Sequence, residues 1–175
     1  LKPNRNKYPF IRPTIKILKG FNQVYSSITH SLANYYPQII KPEILSLKIS
    51  LISNCNSKCQ GCLYGRTFMP KEKLEFEEVR NLLDNAKKLK IPHVHFYGGE
   101  PLLHPDILKI IDYASKLGFN ISLGTNGFLL SEKKVKELIK VGLKQIVVGF
   151  YGIGQEYNDY VGLPNKFESL EQNLV

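Results

Sequence analysis

The stretch Cys55-Asn56-Ser57-Lys58-Cys59-Gln60-Gly61-Cys62 holds all three cysteines of this 175-residue chain. An odd number of thiols with the spacing C-x3-C-x2-C cannot pair completely as disulfides, whereas thiolates on one loop can bind soft metals. Structural zinc usually takes four protein ligands, and the next histidine, His93, lies 31 residues beyond Cys62. Three cysteines therefore favour a [4Fe-4S] cluster with one iron open to a ligand. The alternative is a non-catalytic zinc or iron-sulfur binding or interaction module.

On either side of this stretch, the chain shows a regular alternation of strand and helix patterns. Strand patterns start near residues 93, 120 and 144, at intervals of about 25 residues, the length of one strand, one helix and two short connections. Such repeats predict an α/β fold of parallel strands with right-handed crossovers. The predicted strands cover residues 45–51, 93–97, 120–124 and 144–150, with helices around 76–89, between Pro105 and Gly118, after a cap at Ser131, and from Phe167.

The unusual residues follow these predicted strands. The cysteine stretch comes after the first strand, Gly98-Gly99-Glu100 after the second, Thr125-Asn126-Gly127 after the third and Tyr151-Gly152 after the fourth. Because parallel strands bring their carboxyl ends to one edge, these segments are expected to face one another there. Both Gly98-Gly99 and Thr125-Asn126-Gly127 are also common turn sequences, so each alone is weak evidence for a site.

The cysteine stretch and Gly98-Gly99-Glu100-Pro101 together resemble two motifs of the radical S-adenosylmethionine (radical SAM) enzymes, in the same order along the chain. The similarity runs from about Ile44 to the C-terminal end, including residues 125–127 and 151–167. It implies a partial (βα)6 TIM-like barrel, of which this chain would supply about four units before being cut short. Without a fifth strand, strand four would be an edge, and we expect the inner face of the half barrel to expose apolar side chains.

The resemblance also implies roles for individual residues. Cys55, Cys59 and Cys62 would bind three irons of a [4Fe-4S] cluster, and S-adenosyl-L-methionine would bind the fourth. Reductive cleavage would then give a 5'-deoxyadenosyl radical that takes hydrogen from a peptide or small-molecule substrate, with a flavodoxin- or ferredoxin-type protein as electron donor. The candidate contacts to S-adenosylmethionine are Gly98, Gly99, Glu100, Thr125, Asn126, Tyr151 and Tyr64.

One of these contacts follows from a departure from the family. The residue before the third cysteine is commonly aromatic or histidine in the family and meets adenine, but here it is Gly61. The contact to adenine would therefore come from the backbone, from Leu63 or from Tyr64. His93, His95 and His104 match no ligand spacing, and we interpret them as structural.

The rest of the chain divides into a basic arm at residues 1–43 and a core domain at residues 44–175. Residues 1–42 carry seven basic and no acidic side chains of a chain with net charge +9, and their apolar residues from Ile15 to Tyr35 have helical spacing. This predicted amphipathic helix either packs on its own domain or meets an anionic surface, an acidic peptide or a membrane face. No membrane span or signal peptide is expected. Clustered cysteines favour a reducing, cytoplasmic location, and no motif predicts binding to nucleic acid.

Overall fold

The computed structural model describes residues 44–174 except residues 65, 67 and 69. In this part of the chain, four strands form one parallel sheet in the order β1-β2-β3-β4. The predicted fold class is confirmed. The basic arm and its amphipathic helix lie outside the described residues. The strands are β1 Ser46–Ser50, β2 His93–Tyr97, β3 Asn120–Thr125 and β4 Gln145–Val148.

The helices follow the strands in alternation. Their bounds are α1 Phe76–Lys88, α2 Ile107–Lys116, α3 Glu132–Lys140, α4 Gln155–Val161 and α5 Lys166–Leu174, with a 3-10 turn at Pro101–Leu103. Ser131 caps α3 as predicted, because its hydroxyl accepts a hydrogen bond of 3.1 Å from the Lys134 N–H. The chain leaves α2 at Gly118, which has a φ of +81°. The short α4, which the sequence analysis did not predict, lies between Gly154 and Gly162, both with positive φ.

The main core lies between one face of the sheet and the first three helices. Alternate strand residues point to this face, since successive side chains of a strand point to opposite sides. Val94, Phe96, Ile121 and Leu123 are at most 1% exposed there. They pack with the buried faces of the helices, which supply Val79, Leu83, Ile110, Ile111 and Leu138. A second, smaller cluster contains Tyr157, Val161 and Leu170 of α4 and α5.

The opposite, inner face of the sheet corrects one expectation. We expected apolar side chains on it, but the alternation that directs apolar residues to the helices places mainly polar residues here. Strand β4 ends this face with Val147, which is 43% exposed. The other inner-face positions are Ser46, Lys48, Ser50, His93, His95, Tyr97, Asn120, Ser122, Gly124 and Gln145.

Candidate functional site

The loops after β1 and β2 are joined by backbone hydrogen bonds at the carboxyl edge of the sheet. The Gly99 N–H donates to the Ile52 carbonyl over 2.6 Å, and the Glu100 N–H donates to the Asn54 carbonyl over 2.8 Å. These bonds continue the parallel ladder beyond the ends of both strands. As a result, the residue that precedes Cys55 is fixed directly to the Gly98-Gly99-Glu100 segment.

Gly98 and Gly99 are required by this packing. A Cβ atom built on Gly98 would overlap the Ile52 carbonyl, and one on Gly99 would overlap the Asn54 carbonyl. Gly98 also has a φ of +149°, which favours glycine. The backbone of both residues therefore approaches the loop that carries the cysteines, in addition to the role at a ligand that the resemblance implies. A side chain at Gly99 would displace the cysteine loop.

The carboxylate of Glu100 is turned into the protein. Glu100 is 0% exposed and accepts hydrogen bonds from the Thr125 hydroxyl at 2.8 Å, the Asn126 N–H at 2.8 Å and the Leu102 N–H at 3.0 Å. Burial raises the pKa of Glu100, and these three donors oppose that effect only in part. The structure thus places Glu100 as a link between the loops after β2 and β3, while its role toward a cofactor ammonium stays a prediction.

Asn126 connects the loop after β3 to the cysteine stretch. Its side-chain amide donates to the Asn56 side-chain oxygen over 2.7 Å and lies 4.0 Å from the Cys55 sulfur. Its own side-chain oxygen accepts from the Phe128 N–H at 3.1 Å. The neighbouring Thr125 hydroxyl, besides donating to Glu100, accepts from the Gly127 N–H at 3.1 Å. The predicted segments after the first three strands therefore meet at one edge.

The three cysteines are free and half-buried. Burial raises the pKa of the Cys55 thiol, with smaller contributions in the same direction from Glu100, Cys59 and Cys62. The Cys59 sulfur lies 3.1 Å from the Ser57 hydroxyl, which donates to the Val161 carbonyl. Within the part of the chain that the structure describes, no three ligand side chains form a group suited to a single metal ion.

Helix α4 contacts the cysteine loop through backbone hydrogen bonds. The sequence did not predict this helix. The Lys58 N–H donates to the Val161 carbonyl at 3.0 Å, and the Gln60 N–H donates to the Tyr160 carbonyl at 2.8 Å. The unsatisfied carbonyls at the C-terminal end of this helix thus find donors in the cysteine stretch. The glycines on either side of residues 155–161 were the signal that could have revealed the helix.

Arg66 holds the other side of the same loop. Its guanidinium donates to the Cys59 carbonyl at 2.9 Å and to the Cys62 carbonyl at 3.1 Å. Two fixed donors on one planar group orient the backbone between the second and third cysteines. Arg66 is therefore a positioning residue of the cysteine loop in this structure.

The two predicted tyrosines lie in different places. Tyr151 is half exposed and stacks on Tyr160 with ring centroids 4.3 Å apart. Burial raises the Tyr151 pKa, and Tyr160, Cys59 and Cys62 add to the increase, so Tyr151 lies on the cysteine side of the edge. Tyr64 instead places its hydroxyl 3.0 Å from the Ser50 hydroxyl, at the end of β1. A Cβ atom on Gly61 would meet no atom within 4 Å among the described residues.

Of His93, His95 and His104, the last has a clear structural role. It is 2% exposed, and its Nε2–H donates to the Leu74 carbonyl at 2.9 Å while its Nδ1 accepts from the Asp106 N–H at 3.1 Å. Both ring nitrogens are therefore used within the fold. His93 and His95 lie on the inner face of the sheet.

A comparison with protein families agrees with this geometry. The sequence model of the radical SAM superfamily matches residues 49–174, which include the cysteine stretch and the loops after all four strands. The chain belongs to the radical SAM superfamily. Enzymes of this superfamily use a [4Fe-4S] cluster together with S-adenosylmethionine.

The chain is also similar to curated members of the radical SAM superfamily. It is 32% identical over 120 residues to an AdoMet-dependent heme synthase of Methanosarcina barkeri, covering 67% of this chain and 34% of the relative. It is 39% identical over 118 residues to a GTP 3',8-cyclase of Aquifex aeolicus, covering 64% and 37%. The chain therefore spans little more than a third of these relatives.

The fold is shared with Streptococcus suis SuiB bound to S-adenosylmethionine. The TM-score is 0.62 at 20% identity, covering 72% of this chain and 30% of SuiB. In the described residues of this radical SAM protein, no helix is long and apolar enough to cross a membrane.

The residues present fit the cluster and cofactor of the superfamily. Three free thiols on one loop are soft ligands of the kind that holds iron-sulfur clusters. Each would bind a separate iron, so the thiols need not converge on one point as they would around a single ion. The half-buried sulfurs lie beside loops with backbone amides and carbonyls at the carboxyl edge, where parallel α/β folds bind ligands.

Proposed function

We propose that this chain carries the cluster-binding core of a radical SAM enzyme. In this proposal Cys55, Cys59 and Cys62 hold a [4Fe-4S] cluster, and the loops after β2 and β3 hold S-adenosylmethionine. The observation that carries the proposal is the joining of three loops at one edge. The loop with the three free cysteines is hydrogen-bonded to the Gly98-Gly99-Glu100 loop and, through Asn56 and Asn126, to the loop after β3.

The bound cluster would supply the electron that cleaves the sulfonium carbon-sulfur bond of S-adenosylmethionine into methionine and a 5'-deoxyadenosyl radical. The protein's own residues bind and orient. Gly98 and Gly99 would present backbone that the ammonium group of S-adenosylmethionine can approach, and Glu100 holds the loop after β3 in position. Asn126 holds the start of the cysteine stretch through Asn56.

Helix α4 and Arg66 would maintain the spacing of the thiols. The helix fixes Lys58 and Gln60, and Arg66 fixes the carbonyls of Cys59 and Cys62. Each of these contacts fixes the backbone at or next to a cysteine. Tyr151, which stacks on Tyr160, would contact the cofactor on the side of β4, and Tyr64 is the candidate contact to adenine near Gly61.

Reaction partners follow from the same proposal. The enzyme would abstract hydrogen from a peptide or small-molecule substrate, with an electron donor of the flavodoxin or ferredoxin type in the cytoplasm. The relatives support a small-molecule substrate, since one is a heme synthase and another a GTP cyclase. Their lengths extend well beyond the matched region.

The proposal is tested by anaerobic reconstitution of the chain with iron and sulfide. We expect a brown protein that converts S-adenosylmethionine to 5'-deoxyadenosine under a strong reductant, measured by liquid chromatography. A colourless protein that binds one zinc ion and produces no 5'-deoxyadenosine would contradict the proposal and support a non-catalytic metal-binding module.

A further inference from the structure

A row of polar side chains crosses the inner face of the sheet, below the carboxyl edge that carries the cysteine loop. Lys48 of β1 is aligned with His95 of β2, His95 with Ser122 of β3, and Ser122 with Gln145 of β4. Aligned residues on neighbouring strands point to the same face, so the four side chains form one line across the sheet. This row is not part of the site described above.

The imidazole of His95 is held in place within this row. Its Nδ1 lies 2.8 Å from the Ser122 hydroxyl, and its ring stacks on Tyr97 with centroids 6.1 Å apart at an angle of 16°. A Cβ atom on Gly124 would come within 3.2 Å of Nε2, so the glycine leaves space for that edge of the ring. The Nε2 atom is therefore oriented by its neighbours. Burial, and then the charge of Lys48, lower the pKa of the His95 imidazole.

The charge on the inner face of the four described strands is positive. Lys48 is a cation, and none of the inner-face residues of the four described strands is a carboxylate. Beside the row, a shallow cavity of about 360 Å³ is lined by Lys144, His93, Asn120, Ile121, Ser122 and Gln145. The cavity and the row share Ser122 and Gln145, so they form one continuous polar surface.

We propose that this row binds the anionic group, a carboxylate or a phosphate, of a small-molecule substrate. The proposal rests on the proposed function, because it assigns the row to the substrate of the radical reaction. Lys48 lies two residues before the end of β1, or about 7 Å below the edge that carries the cysteine loop. A substrate whose reacting carbon lies at that edge can therefore extend its anionic group onto Lys48, His95 and Ser122. Lys48 supplies charge, and the other side chains supply hydrogen bonds.

The test is calorimetric titration of the reconstituted 175-residue chain with inorganic phosphate and, separately, with succinate. The variants are Lys48→Met and His95→Gln, and the control is Lys140→Met, which removes the same charge from α3. Circular dichroism checks that each variant is folded. We expect one of the two anions to bind more tightly, which identifies phosphate or carboxylate as the recognised group.

Loss of a charge-assisted contact should weaken binding of that anion about tenfold in each test variant and leave Lys140→Met unchanged. Binding of neither anion, or equal binding by Lys48→Met and the unmodified chain, would overturn the inference. Iron content and 5'-deoxyadenosine are measured on the same samples. A chain with a cluster and cofactor cleavage but no anion binding contradicts only this inference, whereas a chain without a cluster contradicts the proposed function and removes the row's assignment to its substrate.

Discussion

The hydroxyl of Thr125 donates a hydrogen bond of 2.8 Å to the buried carboxylate of Glu100 and joins the loops after β2 and β3. Both residues are at most 7% exposed. Glu100 in turn is bonded through its N–H to Asn54, which precedes the first cysteine. Thr125 is therefore one residue in a continuous set of contacts that reaches the cysteine stretch.

Replacing Thr125 with valine should destabilise this edge. The change keeps the shape of the side chain but removes one of the two donors to Oε1 of the buried Glu100 carboxylate, which keeps the Leu102 N–H, and leaves the Gly127 N–H without its acceptor. Such a loss costs about 1–3 kcal/mol in the free energy of unfolding. Urea unfolding measures the effect, with Thr125→Ser as the matched control because it keeps the hydroxyl. Equal stability of the valine and serine variants would contradict the assigned contact.

Gly99→Ala should prevent cluster assembly as well as cofactor binding. The added Cβ would overlap the Asn54 carbonyl and displace the residue before Cys55. The matched control is Gly61→Ala in the same loop, where the Cβ meets open space and only the φ of +73° opposes it, at a cost of about 1–2 kcal/mol. Iron content after reconstitution is the measurement. A Gly99→Ala protein with the full iron content of the unmodified chain would show that the close packing of Gly99 on Asn54 is not needed for cluster assembly.

These two cases show what the sequence could and could not predict. The spacing of the strands and glycines predicted the parallel sheet and the edge where the cysteine stretch meets Gly98-Gly99. It could not predict that Glu100 is turned inward, because a carboxylate after two glycines is equally compatible with a ligand or a buried partner. Helix α4 was missed because a seven-residue helix has too few turns to show a clear period. The polar inner face could not be predicted from the number of apolar residues, because it depends on which positions the strand register brings to the same side of the sheet.

The pKa of His95 should lie below 6.5, because burial and then the charge of Lys48 disfavour the imidazolium. A lowered pKa in the folded state means that the unfolded chain binds more protons just below pH 6.5. Stability is therefore lost as the pH falls through that range. Lys48→Met should raise the His95 pKa but not to 6.5, since burial remains. Proton NMR titration of the imidazole measures it, with Lys140→Met as control. A His95 pKa that is the same in both variants would show that Lys48 does not face the ring.

Strand β4 should cause self-association of this chain. It is an edge of the sheet formed by the described residues, and Val147, Phe150 and Ile153 in and after it are at least 43% exposed. Val147→Lys should lower the association constant, because a charged edge residue opposes strand pairing. Sedimentation velocity at several concentrations measures this, and Ile139→Lys on the outer side of α3 is the control. An unmodified chain that stays monomeric at every concentration measured would contradict the prediction.

The most direct test of the central claim is the iron and sulfide content of Cys59→Ala after anaerobic reconstitution. The unmodified chain should bind about four irons and four sulfides with a broad visible absorbance, as expected for one [4Fe-4S] cluster. Cys59→Ala loses one of three protein ligands and should lose the cluster and the formation of 5'-deoxyadenosine. Its circular dichroism should still show the βα fold, because Cys59 packs against the smaller cluster of Tyr157, Val161 and Leu170 and is not part of the main core. A Cys59→Ala protein that keeps its full iron content and still cleaves S-adenosylmethionine would contradict the assignment of the cysteine stretch as the cluster site.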